Sequence, residues 1–202
     1  ILLHDVGHGP FSHVMEHTLV EGITHEEISL MMMEKMRNEL PPQDADLLNL
    51  AISIFKDEYH KHFLHQLISS QLDVDRLDYL CRDSFFCGVT EGSVASARIL
   101  KMMNVKEGRL VVEAKGIYSV EKFLVARRLM YWQVYLHHTS VAAEQVLIKI
   151  LTRAKQLTAN GIDLFASPAL KYFLQYNSSL EGKTIDSTLL ADLEAFKPRL
   201  TV

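Results

Sequence analysis

Gln71-Leu72-Asp73-Val74-Asp75-Arg76-Leu77-Asp78-Tyr79-Leu80-Cys81-Arg82-Asp83 is the stretch on which the reading of this chain turns. It reads as part of one long helix running from about Lys61 to Phe86. At about 100° per residue, Asp75, Tyr79 and Asp83 fall within roughly 80° of one another on a single stripe. Asp73 and Asp78 point elsewhere, and Asp78 has i,i+4 spacing to Arg82, the geometry of an ordinary surface ion pair. A stripe of carboxylate, phenol and carboxylate is not how a helix buries itself in a core. It has the character of a site wall.

Outward from this stretch the pattern stays helical. Residues 1–8 read as the end of a helix broken at Gly7-His8-Gly9-Pro10, a cluster that cannot continue it. A second helix is predicted from about Ser12 to Leu19. Thr24-His25-Glu26-Glu27 starts another, with Thr24 as N-cap and Glu27 at capping-box spacing. That helix carries Ile28, Met31, Met32 and Met36, read as core, towards the Pro41-Pro42 break. Leu47, Leu48, Ala51, Ile54 and Phe55 continue the 3–4 spacing over about 44–56. After Gly88 a shorter helix is predicted over about 93–103. Val105 and Leu110-Val111-Val112, around Glu107-Gly108, predict a small hairpin. Further helices are predicted over about 117–137, 139–158, 166–175 and 187–196. The expectation is an all-α fold with one minor β-hairpin, in which 1–158 form the main domain and 159–202 a helical extension.

Composition narrows the function classes. The chain has 202 residues, enough for a sizeable core, with 48% hydrophobic and 23% charged residues, as in an ordinary globular domain. A formal net charge of −4 gives no global mark of a nucleic-acid or membrane-surface binder. Cys81 and Cys87 are the only cysteines; they are too few for a disulfide scaffold and lack zinc spacing, so both read as packed free thiols in a reducing cytoplasm. No apolar run approaches the roughly 18 residues that span a bilayer. There is no Gly-rich phosphate loop and no G-x-S-x-G elbow, which argues against a P-loop enzyme or a serine hydrolase.

The histidines are unevenly spread: of 10, those at 4, 8, 13, 17 and 25 lie in the first 25 residues. His4-Asp5 places an imidazole beside a carboxylate, a pair that can bind one cation where a helix ends and both side chains turn inward. The Gly/Pro break after it can fold His8 and His13 over the open side of such an ion. His60, His62 and His65 are also close together, but read as polar helix-end surface. Tyr131, Trp132 and Tyr135 by themselves read as a core stripe.

The strings His4-Asp5-Val6-Gly7-His8-Gly9-Pro10-Phe11-Ser12-His13 and Gln71–Asp83, in that order, resemble the HD superfamily of metal-dependent phosphohydrolases, in particular the branch of deoxynucleoside triphosphate triphosphohydrolases. The resemblance weakens through Tyr135-Leu136-His137-His138 and covers roughly the first 155 residues. It implies an HD-domain helical fold, with His4, Asp5 and Asp75 as metal ligands and Mg, Mn, Fe, Ni or Zn as the ion. It implies proton-handling roles near the reacting phosphorus for His8 and His25, assisted by Glu16, which stands where relatives carry Asp. His13, Arg76, Tyr79 and Asp83 match positions contacting nucleotide phosphates and sugar, Arg76 standing where some relatives have Lys. Arg127 matches a phosphate-contacting arginine and Tyr135 a tyrosine stacked on deoxyribose; with Tyr131 between them, all three can share a helix face.

The family's first metal-binding histidine lies upstream of the His-Asp pair, and the expectation is that a segment preceding Ile1 carries it. The implied reaction converts a deoxynucleoside triphosphate to deoxynucleoside and triphosphate in a dimer or tetramer with an allosteric nucleotide. Two rivals stand beside it: an HD phosphohydrolase acting on a cyclic, signalling or monophosphate nucleotide, and a non-catalytic nucleotide-binding module. Neither a membrane nor a nucleic acid is expected as the main partner.

Overall fold

The helix boundaries follow local hydrogen-bonding rules. A computed structural model of the protein describes residues 1–175 apart from Ser12 and Glu21. The helix expected near 187–196 therefore lies outside the described residues, as does the expected start at Ser12. Helix α1 covers His13–Thr18 and α2 covers His25–Glu39. The predicted capping box forms at the start of α2: Thr24 donates its N–H to Glu27 Oε2 at 2.7 Å, and the Glu27 N–H returns to Thr24 Oγ1 at 3.2 Å. Helix α3, Pro42–Phe55, has Pro42 inside its first turn and Pro41 as N-cap. The Pro pair thus opens this helix, because the first turn has no intrahelical partner for the N–H that proline lacks.

The one long helix expected over 61–86 is two. A single turn, α4 (Phe63–Gln66), is followed by irregular chain, and α5 runs from Val74 to Cys87. Asp73 makes the division. Its backbone is extended at φ −88° and ψ 168°, and its carboxylate accepts the Arg76 N–H at 2.7 Å and the Ser70 N–H at 3.2 Å. It is an N-cap, where a short acidic side chain replaces the missing helical acceptor. Gly88 ends α5 in the left-handed conformation at φ 67°, which glycine adopts without steric cost. Helix α6 follows at Ser96–Met102.

Strands β1 (Met103–Lys106) and β2 (Arg109–Val112) pair antiparallel with Met103 opposite Val112 and Lys106 opposite Arg109. Glu107 at φ 53° and Gly108 at φ 74° make the two-residue turn between them, matching the right-handed twist of the ribbon. Helix α7 then covers Ile117–Met130. The expected continuation to 137 changes character: Tyr131–Tyr135 is a π-helical segment, with the Leu136 N–H on the Tyr131 carbonyl at 2.7 Å. Helices α8 (His138–Ala159) and α9 (Pro168–Gln175) complete the described chain. The described residues thus form an all-α fold with one minor hairpin. None of their helices is long and apolar enough to cross a membrane.

Two compact units divide the chain. One comprises Ile1–His4 with Met33–Ala142, and its core is Leu77, Leu80, Ile99, Phe123 and Met130, with Tyr79 and Tyr135 packed against it. The other comprises Asp5–Met32 with the chain from Ala143, and its core is Val14, Leu19, Leu151 and Leu174. In that unit Lys155 donates to the Thr18 and Leu19 carbonyls at 3.3 and 3.0 Å. These carbonyls end α1, where a cation is favoured by the helix dipole.

Three smaller expectations change. Residues 1–8 are a succession of turns, such as His4 N–H to Ile1 carbonyl and His8 N–H to Asp5 carbonyl. Met31 is buried as expected, and so is Met33, but Met32 and Met36 face outward. Cys81 is half-buried with its thiol towards the Val94 carbonyl, whereas Cys87 is exposed rather than packed.

Candidate active site

Gly7 is the residue that lets the histidine-rich segment sit where it does. A Cβ at this position would lie 2.3 Å from the His25 carbonyl oxygen and 2.4 Å from the Ser29 nitrogen. Only a residue with no side chain allows that approach to the first turns of α2. The Gly7 N–H donates to Ser29 Oγ at 2.9 Å, and Ser29 is wholly buried.

The next residue, His8, is thereby laid on His25, with ring centroids 3.8 Å apart and planes 14° from parallel. His13 meets both rings edge-on at 5.4 and 5.3 Å. Glu16 is the acceptor for two of them: His25 Nδ1 lies 2.7 Å from its Oε1 and His13 Nδ1 3.3 Å from its Oε2. Asp5 Oδ1 is 4.0 Å from Nε2 of both His8 and His25. The five residues expected here from the sequence are together.

The electrostatics of His8 and Glu16 shift both groups towards their deprotonated forms. Burial pushes the His8 imidazole below its ordinary pKa, and the neighbouring His25 adds to this, so His8 is a neutral base at pH 7. Burial by itself would raise the Glu16 carboxyl, but hydrogen bonds from His13 and His25 outweigh it and hold the group below the usual carboxylate range.

In the first unit, His4 Nε2 stands 3.6 Å from Asp75 Oδ1. Two ligand atoms each about 2.1 Å from a tetrahedral ion are about 3.4 Å apart, so this nitrogen–oxygen pair fits a divalent metal in donor type and spacing. Ligand atoms of Asp5, His8 and His25 lie within 4.8 Å of one another, as do those of His13, Glu16 and His25.

The α5 stripe faces the tyrosines after α7. Tyr135 donates its hydroxyl to Asp83 Oδ2 at 2.6 Å, and its ring meets Tyr79 at 6.1 Å and Tyr131 at 5.3 Å. Burial, then Asp83, pushes the Tyr135 phenol far up, and burial also raises Tyr79. Arg127 lies over the Tyr131 ring at 5.7 Å and reaches Gln71 Oε1 at 3.4 Å. Arg76 is turned partly away from the stripe, its Nη1 engaged by Asp73 and the Ser70 carbonyl.

Two expectations need correction. Tyr131 and Trp132 are exposed, Trp132 by 59%, so the tyrosine–tryptophan run is not a core stripe. Arg128 covers the Trp132 ring at 4.4 Å instead, a contact that holds an aromatic at the surface. His60, His62 and His65 do not start the helix of Asp75. His62 pairs with Asp57 at 2.9 Å at the surface, whereas His65 is half-buried and meets the Ile54 carbonyl at 3.2 Å. Asp78 pairs with Arg82 at 2.5 Å as expected. Gln71 and Ser29 were missed; a glutamine or serine carries no chemical signal until its partner is known.

The HD associated region family matches residues 94–173. The protein YwfO of Bacillus subtilis is 36% identical over 189 residues, covering 90% of this chain and 41% of YwfO. A crystal structure of a phosphohydrolase from Bacteroides thetaiotaomicron superposes with a TM-score of 0.81 at 66% identity, over 87% of this chain and 42% of that one. The chain belongs to the HD-domain phosphohydrolase superfamily. It also resembles the deoxynucleoside triphosphate triphosphohydrolase SAMHD1 of Bos taurus, at 25% identity over 96% of this chain and 37% of that protein. The chain thus spans about two fifths of the length of these HD relatives.

Within this HD domain the Tyr135–Asp83 bond joins two segments far apart in sequence. Tyr135→Phe is expected to lower stability by about 1–2 kcal/mol, as for a hydrogen bond to a charged acceptor that stays half in solvent. Urea denaturation of Tyr135→Phe, Asp83→Asn and the double variant measures it. Additive losses would show that the bond contributes nothing.

Proposed function

We propose that this HD domain carries out metal-dependent hydrolysis of deoxynucleoside triphosphates, releasing the deoxynucleoside and inorganic triphosphate. The observation that carries the reading is the approach of His4 Nε2 to Asp75 Oδ1 at 3.6 Å, two donors brought together, one from each of the two motifs. In this reading His4, Asp5 and Asp75 hold a divalent ion: Mg, Mn, Fe, Ni or Zn. Such an ion, when bound, polarises a phosphoryl oxygen and makes water a stronger acid.

The chain's own residues do the rest. His8, kept neutral by burial, accepts a proton at the reacting phosphate. Glu16 fixes the orientation of His25 through Nδ1, and His25 in turn supports the His8 ring by stacking. Arg127 neutralises phosphate charge, as does the part of the Arg76 guanidinium not engaged by Asp73, with His13 and Tyr79 as further contacts. Tyr135, its hydroxyl on Asp83, offers a ring to the deoxyribose. The naming of distant relatives as deoxynucleoside triphosphate triphosphohydrolases supports this substrate, and assembly into a dimer or tetramer with an allosteric nucleotide is part of the same proposal.

The test supplies each of the four deoxynucleoside triphosphates with divalent metal and follows phosphorus-containing products by 31P NMR. Tripolyphosphate is the expected product. Release of pyrophosphate or orthophosphate, or preference for a cyclic or ribonucleotide substrate, would replace this reading with a different HD phosphohydrolase.

A further inference from the structure

We infer that His13, Glu16 and His25 form a second metal site, selective for a borderline transition ion such as Zn²⁺ and separate from the one proposed at His4, Asp5 and Asp75. Three donors on two elements converge: His13 and Glu16 at i,i+3 on α1, and His25 at the start of α2. Their ligand atoms all lie within 4.8 Å of one another. The 3.3 Å between His13 Nδ1 and Glu16 Oε2 matches the roughly 3.4 Å separating two ligands of a tetrahedral zinc ion. The 2.7 Å between His25 Nδ1 and Glu16 Oε1 needs an opening of about 0.7 Å, which rotation of the Glu16 carboxylate supplies.

The donor set decides the kind of ion. Two imidazoles and one carboxylate suit Zn²⁺, Ni²⁺ or Co²⁺ and discriminate against Mg²⁺ and Ca²⁺, which take mainly oxygen. Both rings turn Nδ1 towards the same carboxylate, so each need only carry its proton on Nε2 to present a lone pair. The alternative grouping of Asp5 with His8 and His25 is looser, since Asp5 Oδ1 is 4.0 Å from each ring. The way in is from the His13 side, whose side chain is 59% exposed against 15% for Glu16. If Glu16 and His25 also serve the proposed hydrolysis, an ion here occupies the same atoms and inhibits. That consequence alone rests on the reading of the active site.

Metal-free full chain is titrated with Zn²⁺ by calorimetry, and in parallel with Co²⁺ while its visible absorption is followed. Two equivalents are expected in the wild type. His13→Ala, at an exposed position, and Glu16→Gln each weaken one of them by at least about 100-fold, the upper end of the effect of losing an outer partner of a ligand. Asp75→Ala weakens the other. A single equivalent that is lost in Asp75→Ala and unchanged in His13→Ala overturns the second site and leaves the proposed function intact. A single equivalent with the reverse response supports the second site and removes the metal centre proposed for hydrolysis.

Discussion

In Asp75→Ala the rate of tripolyphosphate release is expected to fall by roughly 10³-fold or more, because a ligand of a charge-stabilising ion contributes several kcal/mol to the transition state. Stability should hardly change. Asp75 stands in the first turn of α5 with its side chain 36% exposed. Losing a carboxylate there costs about 0.3–1 kcal/mol of helix-dipole interaction, and the better helix propensity of alanine offsets part of it. The separation between the two readouts makes the experiment informative. Rate assays beside urea denaturation would show an inactive and stably folded variant. Retained hydrolysis would remove Asp75 from the metal centre, and a collapse of stability would make it a structural residue.

Gly7→Ala is expected to show the opposite pattern, losing fold and activity together. The added methyl would lie 2.3 and 2.4 Å from two backbone atoms of α2 and 2.8 Å from Ser29 Oγ. Backbone cannot rotate aside as a side chain can, so the turn or the helix must shift. Overpacking combined with loss of the Gly7–Ser29 hydrogen bond should cost roughly 3–4 kcal/mol, a fall in Tm of about 8–12 °C for a chain of this size. His8 is the adjacent residue, so the same shift disturbs its stacking on His25. Ser29→Ala separates the two contributions: it removes the hydrogen bond without the clash and should cost only about 1–2 kcal/mol. Equal losses in the two variants would show that the close approach is not what holds the segment.

Much of this was legible from residue type and spacing. The α5 stripe was visible because Asp75, Tyr79 and Asp83 repeat at helical intervals, and each meets a partner across the fold: His4, Tyr135 and Tyr135 again. The histidine cluster was visible because five imidazoles crowd one end of the chain. The break before α5 was not, because the apolar spacing of Leu64, Ile68 and Leu72 runs on through it and only the cap at Asp73 interrupts it. Arg76 was expected to serve phosphate alone, whereas Asp73 takes part of its guanidinium. The exposure of Trp132 was hidden for another reason. An aromatic stripe has the same periodicity whether it faces a core or an arginine.

The π-helical segment at Tyr131–Tyr135 has a consequence for how this protein tolerates change. A π turn holds one more residue than the α turn it replaces, and is in effect an insertion accommodated inside a helix. Tyr135 reaches Asp83 from within that enlarged turn. Exchanging one side chain for another here leaves the count intact. Removing one residue between 131 and 135 lets the helix relax to α geometry, and because the wider turn had absorbed that residue, the chain that follows keeps nearly its present direction. What is lost is the enlarged turn itself, the setting from which Tyr135 meets Asp83. This stretch can therefore gain or lose one residue without turning the chain beyond it, and length variation among homologues should gather here rather than in the regular turns of α7 and α8.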